Sequence, residues 1–314
     1  MAFEKLLGNR RLKQNLAESL AKKRISHFYL ISGLEGSGKH TLASLLAAAI
    51  LCSGADAPCG NCPACRKLRS GNHPDFITVD DPEHKTTAVK IVRQMRDDMF
   101  IRPNEADYKI YLFPQELGIE GQNALLKILE EPPSYGVFIL LTDNPEKLLP
   151  TVRSRCTELA LQALEPEVLR EALCLEFPEA AKEDIAAAIL RSSGFLGQAR
   201  NLLTEEEEHP QTEGFVRGYG GRDALALAQV LVPMEKWKRD QLIPVLEEWL
   251  ILLENALASR SGLPAISARE RYLSTQRSSM ELMAAIRSIK KALEYAQGNV
   301  SPGAICGWLR WELR

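Results

Sequence analysis

The run His27-Phe-Tyr-Leu-Ile-Ser32, followed by Gly33-Leu-Glu-Gly36-Ser37-Gly38-Lys39-His40-Thr41, constrains this chain more than any other feature. A short apolar run that ends in glycines reads as a buried strand. The Leu- and Ala-rich stretch after it reads as a helix. Strand, glycine-rich loop and helix in that order fit the phosphate-binding pattern G-x-x-x-x-G-K-[ST], except at its last place. The glycines let backbone N–H groups turn inward, Lys39 reaches the terminal phosphates, and the helix N-terminus adds its dipole. Gly33, Gly36, Ser37, Gly38, Lys39, His40 and Thr41 are therefore the candidate residues for binding ATP or ADP. His40 stands where Ser or Thr holds Mg²⁺, and imidazole suits poorly an ion that prefers oxygen. Thr41 lies about 100° further round the helix and points elsewhere. A second, acidic motif should end a later strand, to hold the metal and orient water. The candidate strand Lys109-Ile-Tyr-Leu-Phe113 runs instead into Pro114-Gln115, with Glu116 beyond its end. A chain so equipped can bind a nucleotide but should hydrolyse it poorly.

Further strands are expected at 76–79, 137–142 and 157–162, and helices at 3–24, 86–100 and 122–131, the last stopped by Pro132 and Pro133. Strands alternating with helices argue a parallel sheet covered on both faces. After residue 162 the pattern is helical throughout. At roughly 100–200 residues per domain, 314 residues allow two or three domains. The expected divisions are an α/β domain at 1–162, a small helical domain at 163–208 and a larger all-α domain at 209–314, with the acidic run Glu205–Glu208 before His209-Pro210 as a hinge. The net charge of −2 carries no basic excess, so any DNA contact must be local or shared with partners. No apolar run reaches the ~18 residues of a membrane span, and the N-terminus is too charged for a secretory signal, so a cytoplasmic location is expected.

Seven cysteines are present, and Cys52, Cys59, Cys62 and Cys65 fall close together. Two C-x₂-C steps place thiolates in pairs, and four thiolates suit a closed, structural Zn²⁺ site with no open position for catalysis. His73 and His84 are read as non-ligands. Cys174 and Cys306 lie in apolar helical stretches and are expected in cores.

Three segments together carry a resemblance: the phosphate loop with its cysteine insertion, Asn123-Ala-Leu-Leu-Lys-Ile-Leu-Glu-Glu-Pro-Pro133, and Thr151-Val-Arg-Ser-Arg155-Cys156. They resemble the bacterial clamp-loader AAA+ subunits of DNA polymerase III. The resemblance implies an AAA+ P-loop domain with a parallel sheet and a zinc insertion at 52–65, a helical lid and an all-α collar that holds a five-subunit ring. It implies motor (gamma/tau) and delta subunits as partners, and a sliding clamp and primed DNA met through the complex. Within the family, the motor type has a complete phosphate loop, an acidic pair after the third strand and an Arg in the lid segment. Here those places read His40, Pro114-Gln115 and Gly197. The pattern therefore resembles the stator type, delta-prime, without ATPase activity of its own; the alternative is an ATP-hydrolysing motor type. Arg155 then becomes an arginine finger, delivered in trans to a neighbour's ATP site and presented by Ser154 and Cys156. Thr142 falls at the sensor-1 place and is expected to be structural.

Overall fold

The computed structural model describes residues 3, 5–55, 57–82, 84, 86–204, 209–265, 267–298 and 300–314. The strands are β1 Phe28–Ser32, β2 Phe76–Thr78, β3 Thr86–Thr87, β4 Lys109–Phe113, β5 Glu116–Leu117, β6 Gly136–Thr142 and β7 Thr157–Ala160. The helices are α1 Arg10–Ala21, α2 Lys39–Leu51, α3 Pro63–Arg69, α4 Val89–Asp98, α5 Ile119–Glu130, α6 Pro150–Arg153, α7 Pro166–Glu176, α8 Lys182–Arg191, α9 Leu196–Leu203, α10 Pro210–Phe215, α11 Ala224–Met234, α12 Arg239–Arg260, α13 Ala268–Gln276, α14 Ser279–Gln297 and α15 Pro302–Glu312. A π-helical turn, Val216–Gly220, continues α10. The acidic run 205–208 lies outside the described residues.

The chain divides into two compact units, Met1–Glu171 with Ser193–Gln198, and Ala172–Ser192 with Ala199–Arg314. The stretch 163–208 is thus shared between them. The first unit is built on a five-stranded sheet in the order β2-β4-β6-β1-β7, every pair parallel. β1, β4 and β6 are buried along their whole length, because helices cover both faces. Side chains alternate across the sheet with period two. Tyr29, Ile31 and Ile139 pack with Leu42 and Leu46 of α2 on one face. Phe28, Leu30 and Phe138 pack with Val92 of α4 and Leu125 and Ile128 of α5 on the other. The doubly covered parallel sheet read from the sequence is therefore present.

Three local expectations change. The expected helix at 3–24 is α1, which starts only at Arg10, because Gly8 and Asn9 sit in the left-handed region at φ 57° and 47°. Residues 86–87 form a strand rather than a first helical turn, since β3 pairs with β5. Cys174 is exposed, whereas Cys306 is buried.

His73 and Asp75 explain the buried turn after the cysteines. Asp75 is fully buried, and its carboxylate accepts hydrogen bonds from the backbone N–H groups of Asn104, Glu105 and Ala106 and from the Asn104 side chain. Burial alone would raise its pKa, but these donors outweigh it and hold it below the usual carboxylate range. His73 Nδ1 accepts from the Asp75 amide at 3.1 Å and is engaged locally.

The second unit packs its helices around Trp249, which stacks on Phe215 at 4.2 Å between ring centroids and donates Nε1–H to Thr212 at 3.1 Å. Arg277, also buried, donates from Nε and Nη2 to the Tyr219 carbonyl and stacks on the Tyr219 ring at 4.3 Å. It thereby fixes the π-helical turn. α8 is tied to α13 by Arg191 and Glu270, 2.9 Å apart with side chains only 5% and 6% exposed.

Asp75→Asn should lower stability at neutral pH by about 1.5–3 kcal/mol, the range for hydrogen bonds to a charged group. Because the folded pKa is depressed, this contribution is present above the ordinary carboxylate pKa and is lost as pH falls through the lower folded value. Urea unfolding of both proteins from pH 7 down to pH 3 should show the gap closing towards the acid end.

Candidate functional site

The phosphate loop leaves the C-terminal end of β1 and enters α2. Gly36 and Gly38 hold φ of 74° and 95°, conformations that only glycine adopts without strain. Gly38 is the N-cap of α2, so the helix begins at Lys39 as the motif requires. The side chain of Lys39 folds back over this loop. Its ammonium donates to the Gly33 carbonyl at 2.7 Å and the Leu34 carbonyl at 3.1 Å, and pairs with Asp143 just past β6. Asp143 belongs to no motif, and its place directly behind an apolar strand is the one sequence signal for it. Partial burial, together with the charge of Lys39, pushes the His40 imidazolium below its usual pKa, so the ring is neutral at pH 7. Thr41 is exposed. Thr142 donates to the Asn144 carbonyl and accepts from the Asn144 amide, so its hydroxyl closes a turn.

Gln115 lies just past the C-terminal end of β4, and both ends of its amide are used. Its oxygen accepts from the Asp81 amide at 2.8 Å and the Thr87 hydroxyl at 3.4 Å. Its nitrogen donates to the carbonyls of Asp81 and His84, each at 2.9 Å. Gln115 therefore holds Asp81, His84 and Thr87 together and carries no charge.

The segment around Gly197 closes on the loop backbone to backbone. The Gly197 N–H donates to the Gly36 carbonyl at 2.9 Å, and the Gln198 side chain donates to the Glu35 carbonyl at 3.1 Å. A Cβ on Gly197 would stand 2.5 Å from Gly36 Cα, and one on Gly36 would stand 2.5 Å from the Gln198 nitrogen. Neither glycine admits a side chain in this arrangement. Arg200, one turn on, is paired with Glu176 at 2.6 Å.

Arg155 sits elsewhere. It precedes β7, whose Thr157 is in register with Tyr29, so it emerges at the N-terminal edge of the sheet. The phosphate loop emerges at the opposite edge, about 16 Å along a five-residue strand at 3.3 Å per residue. Arg155 donates to the Thr151 carbonyl at 2.8 Å and to Glu130, at the end of α5, at 3.0 Å. Two of the three motif segments thus meet through one ion pair. The hydroxyl of Ser154 donates to the Thr151 carbonyl and the thiol of Cys156 to the Arg153 carbonyl, closing the turn that carries Arg155. Arg153 differs: it pairs with both Glu146 and Glu158.

The sulfurs of Cys52, Cys59, Cys62 and Cys65 lie within 4.8 Å of one another, those of Cys52 and Cys62 at 3.9 Å. Four sulfurs 2.3 Å from a zinc ion in a tetrahedron stand about 3.8 Å apart, so the quartet fits the ion. At Cys62, burial is outweighed by the backbone N–H groups of Cys65 and Ser53, which bring the thiol down to about 6. Burial pushes Cys65 up to about 12. Bound zinc would hold all four as thiolates and tie α3 to the end of α2. His84 pairs with Asp81.

A family profile described as DNA polymerase III, delta subunit, matches residues 8–165. The chain belongs to this family. It is 33% identical over 214 residues to DNA polymerase III subunit tau of Bacillus subtilis, a match covering 65% of this chain and 37% of that protein. It is 38% identical over 175 residues to subunit tau of Escherichia coli, covering 54% and 27%. The chain therefore spans well under half the length of these curated relatives. A gamma subunit-related protein of Thermotoga maritima aligns in structure over 96% of this chain and 99% of that one, with 16% identity and a TM-score of 0.46. Among the described residues, no helix is long and apolar enough to cross a membrane.

Purified protein should contain about one zinc per chain by atomic emission. Cys62→Ser should abolish it and lower the melting temperature. Gly197→Ala should cost about 1–3 kcal/mol in urea unfolding, as overpacking does, with faster amide exchange at residue 197. Unchanged stability would mean that the Gly36–Gly197 contact does not form.

Proposed function

We propose that this chain is a clamp-loader subunit of the stator (delta-prime) type, which does not turn over ATP itself and lends Arg155 to a neighbour. The observation that carries the reading is Gln115. Where hydrolysis needs a carboxylate for Mg²⁺, the chain has an amide whose two ends are consumed in holding a loop. His40 and Gly197 support the same reading. Lys39, bonded within its own chain, would have to give up Asp143 to meet a phosphate. Residues 1–162, 163–208 and 209–314 would serve as AAA+ domain, lid and collar. The partners would be motor and delta subunits in a five-subunit ring, with the sliding clamp and primed DNA reached through it.

Arg155 faces away from its own phosphate loop, so a γ-phosphate it meets belongs to another subunit. A guanidinium supplied in trans raises turnover by about 10³–10⁵ in comparable enzymes. The zinc would brace the insertion and leave the chemistry untouched.

A second reading, a motor-type subunit, is favoured by the names of the relatives, which are tau or gamma. The intact strand, glycine loop and Lys39 are compatible with it. The isolated chain should separate the two, assayed for ATP turnover with and without primed DNA. The stator reading expects none. DNA-stimulated turnover abolished by Lys39→Ala would establish the motor reading instead. In a reconstituted ring where only the neighbour facing Arg155 can hydrolyse ATP, Arg155→Ala should cut turnover on the order of 10³-fold without loss of assembly. Full activity of that ring would remove the finger role.

A further inference from the structure

We propose that the free edge of β7 is a docking site for an extended, acidic peptide segment of a partner protein, which adds a strand to the sheet. β7 closes the strand order and, among the described residues, pairs only with β1. The amide of Leu161 points inward to the Ser32 carbonyl, and that of Gln162 points outward to the Asn9 side chain. With the two-residue period of a strand, the N–H and C=O groups of Glu158 and Ala160 also face outward. Among the described residues, neither of those amides has a hydrogen-bond partner. Asn9 thus ends a row of open backbone groups at one side.

That row opens into a groove of about 720 Å³ between β7 and α1. Its floor is apolar, with Leu12, Leu16 and Val168 among the lining residues. Its rim is basic: Arg10, Arg11 and Arg24 line it, and among the described residues none enters an ion pair. The facing carboxylate of Glu158 is already held by Arg153 and the Ser32 hydroxyl, which leaves Glu165 as the opposing charge. Open backbone donors and acceptors select an extended chain, the apolar floor takes alternate side chains, and the surplus guanidinium groups select carboxylates. The site stands whether the chain is a stator or a motor, because it uses no residue of the phosphate loop and does not involve Arg155.

The test uses the full chain and a fluorescein-labelled octapeptide of alternating valine and glutamate, read by anisotropy. Saturable binding is expected, weakened at least about tenfold by the double variant Arg10→Glu/Arg11→Glu. Ala160→Pro, which removes an outward amide and none that faces β1, should weaken it similarly. On the wild-type chain, hydrogen exchange at the amides of Glu158 and Ala160 should slow at saturation, which decides the matter even if the proline variant fails to fold. Three results would overturn the proposal: no saturable binding at millimolar peptide, equal binding of an alternating valine–lysine octapeptide, or binding that leaves those two amides unprotected.

Discussion

Parallel pairing of β1 with β6 on one side and β7 on the other is the constraint from which the rest of the first unit follows. Parallel strands send all their C-terminal loops out at one edge, where ligands of open α/β sheets bind. The glycine loop after β1, Gln115 after β4 and Asp143 after β6 are therefore neighbours, though they are far apart in sequence. The same constraint sends the turn before β7 to the opposite edge. Arg155 is separated from its own phosphate loop by strand direction alone. Helices on both faces keep the strands dry, so the sheet holds these two edges at a fixed spacing.

At the C-terminal edge, groups with a catalytic geometry have been given structural partners. Gln115 exchanges the possible charge of its position for four hydrogen bonds to one loop. Gly197 meets the loop through a backbone contact that only two glycines allow. Lys39 is neutralised by Asp143 and loop carbonyls. Each arrangement ties this edge to its surroundings through contacts within the chain. Under the stator reading proposed above, these structural uses are what would make the edge a scaffold rather than an enzyme.

Much of this was legible in the sequence because it depends on local pattern. The strand, glycine loop and helix at 27–51 read correctly, as did the cysteine spacing whose sulfurs converge. The divergences have tertiary causes. The helix expected at 3–24 loses its first turns because Gly8 and Asn9 take left-handed φ values that no periodicity reveals. β3 is two residues long and exists only through its pairing with β5. The apolar run at Cys174 did not show which face meets solvent. The sequence marked Gln115 and Gly197 as departures from a pattern, but what each one holds depends on partners 28 to 34 and 161 residues away.

Arginines in this chain differ in how tightly they are committed, and that difference bears on which one can act. Arg191 is buried against Glu270, and removing one partner of such a pair typically costs about 3–5 kcal/mol. Arg153 is shared between two carboxylates. Arg155 has one carboxylate, itself half-exposed, and one backbone carbonyl. An exposed ion pair contributes about 0–1 kcal/mol, and a hydrogen bond about 1 kcal/mol. Glu130 therefore orients the guanidinium without trapping it. A phosphate brought to that edge, with more negative charge than one carboxylate and two oxygens able to accept from the planar guanidinium fork, would outcompete Glu130 at little cost to the fold. Glu130 ends the helix of the Asn123–Pro133 segment, so one ion pair joins that segment to the one bearing Arg155, and under the finger role proposed above this carboxylate would hold the guanidinium ready at the edge of the sheet away from its own phosphate loop.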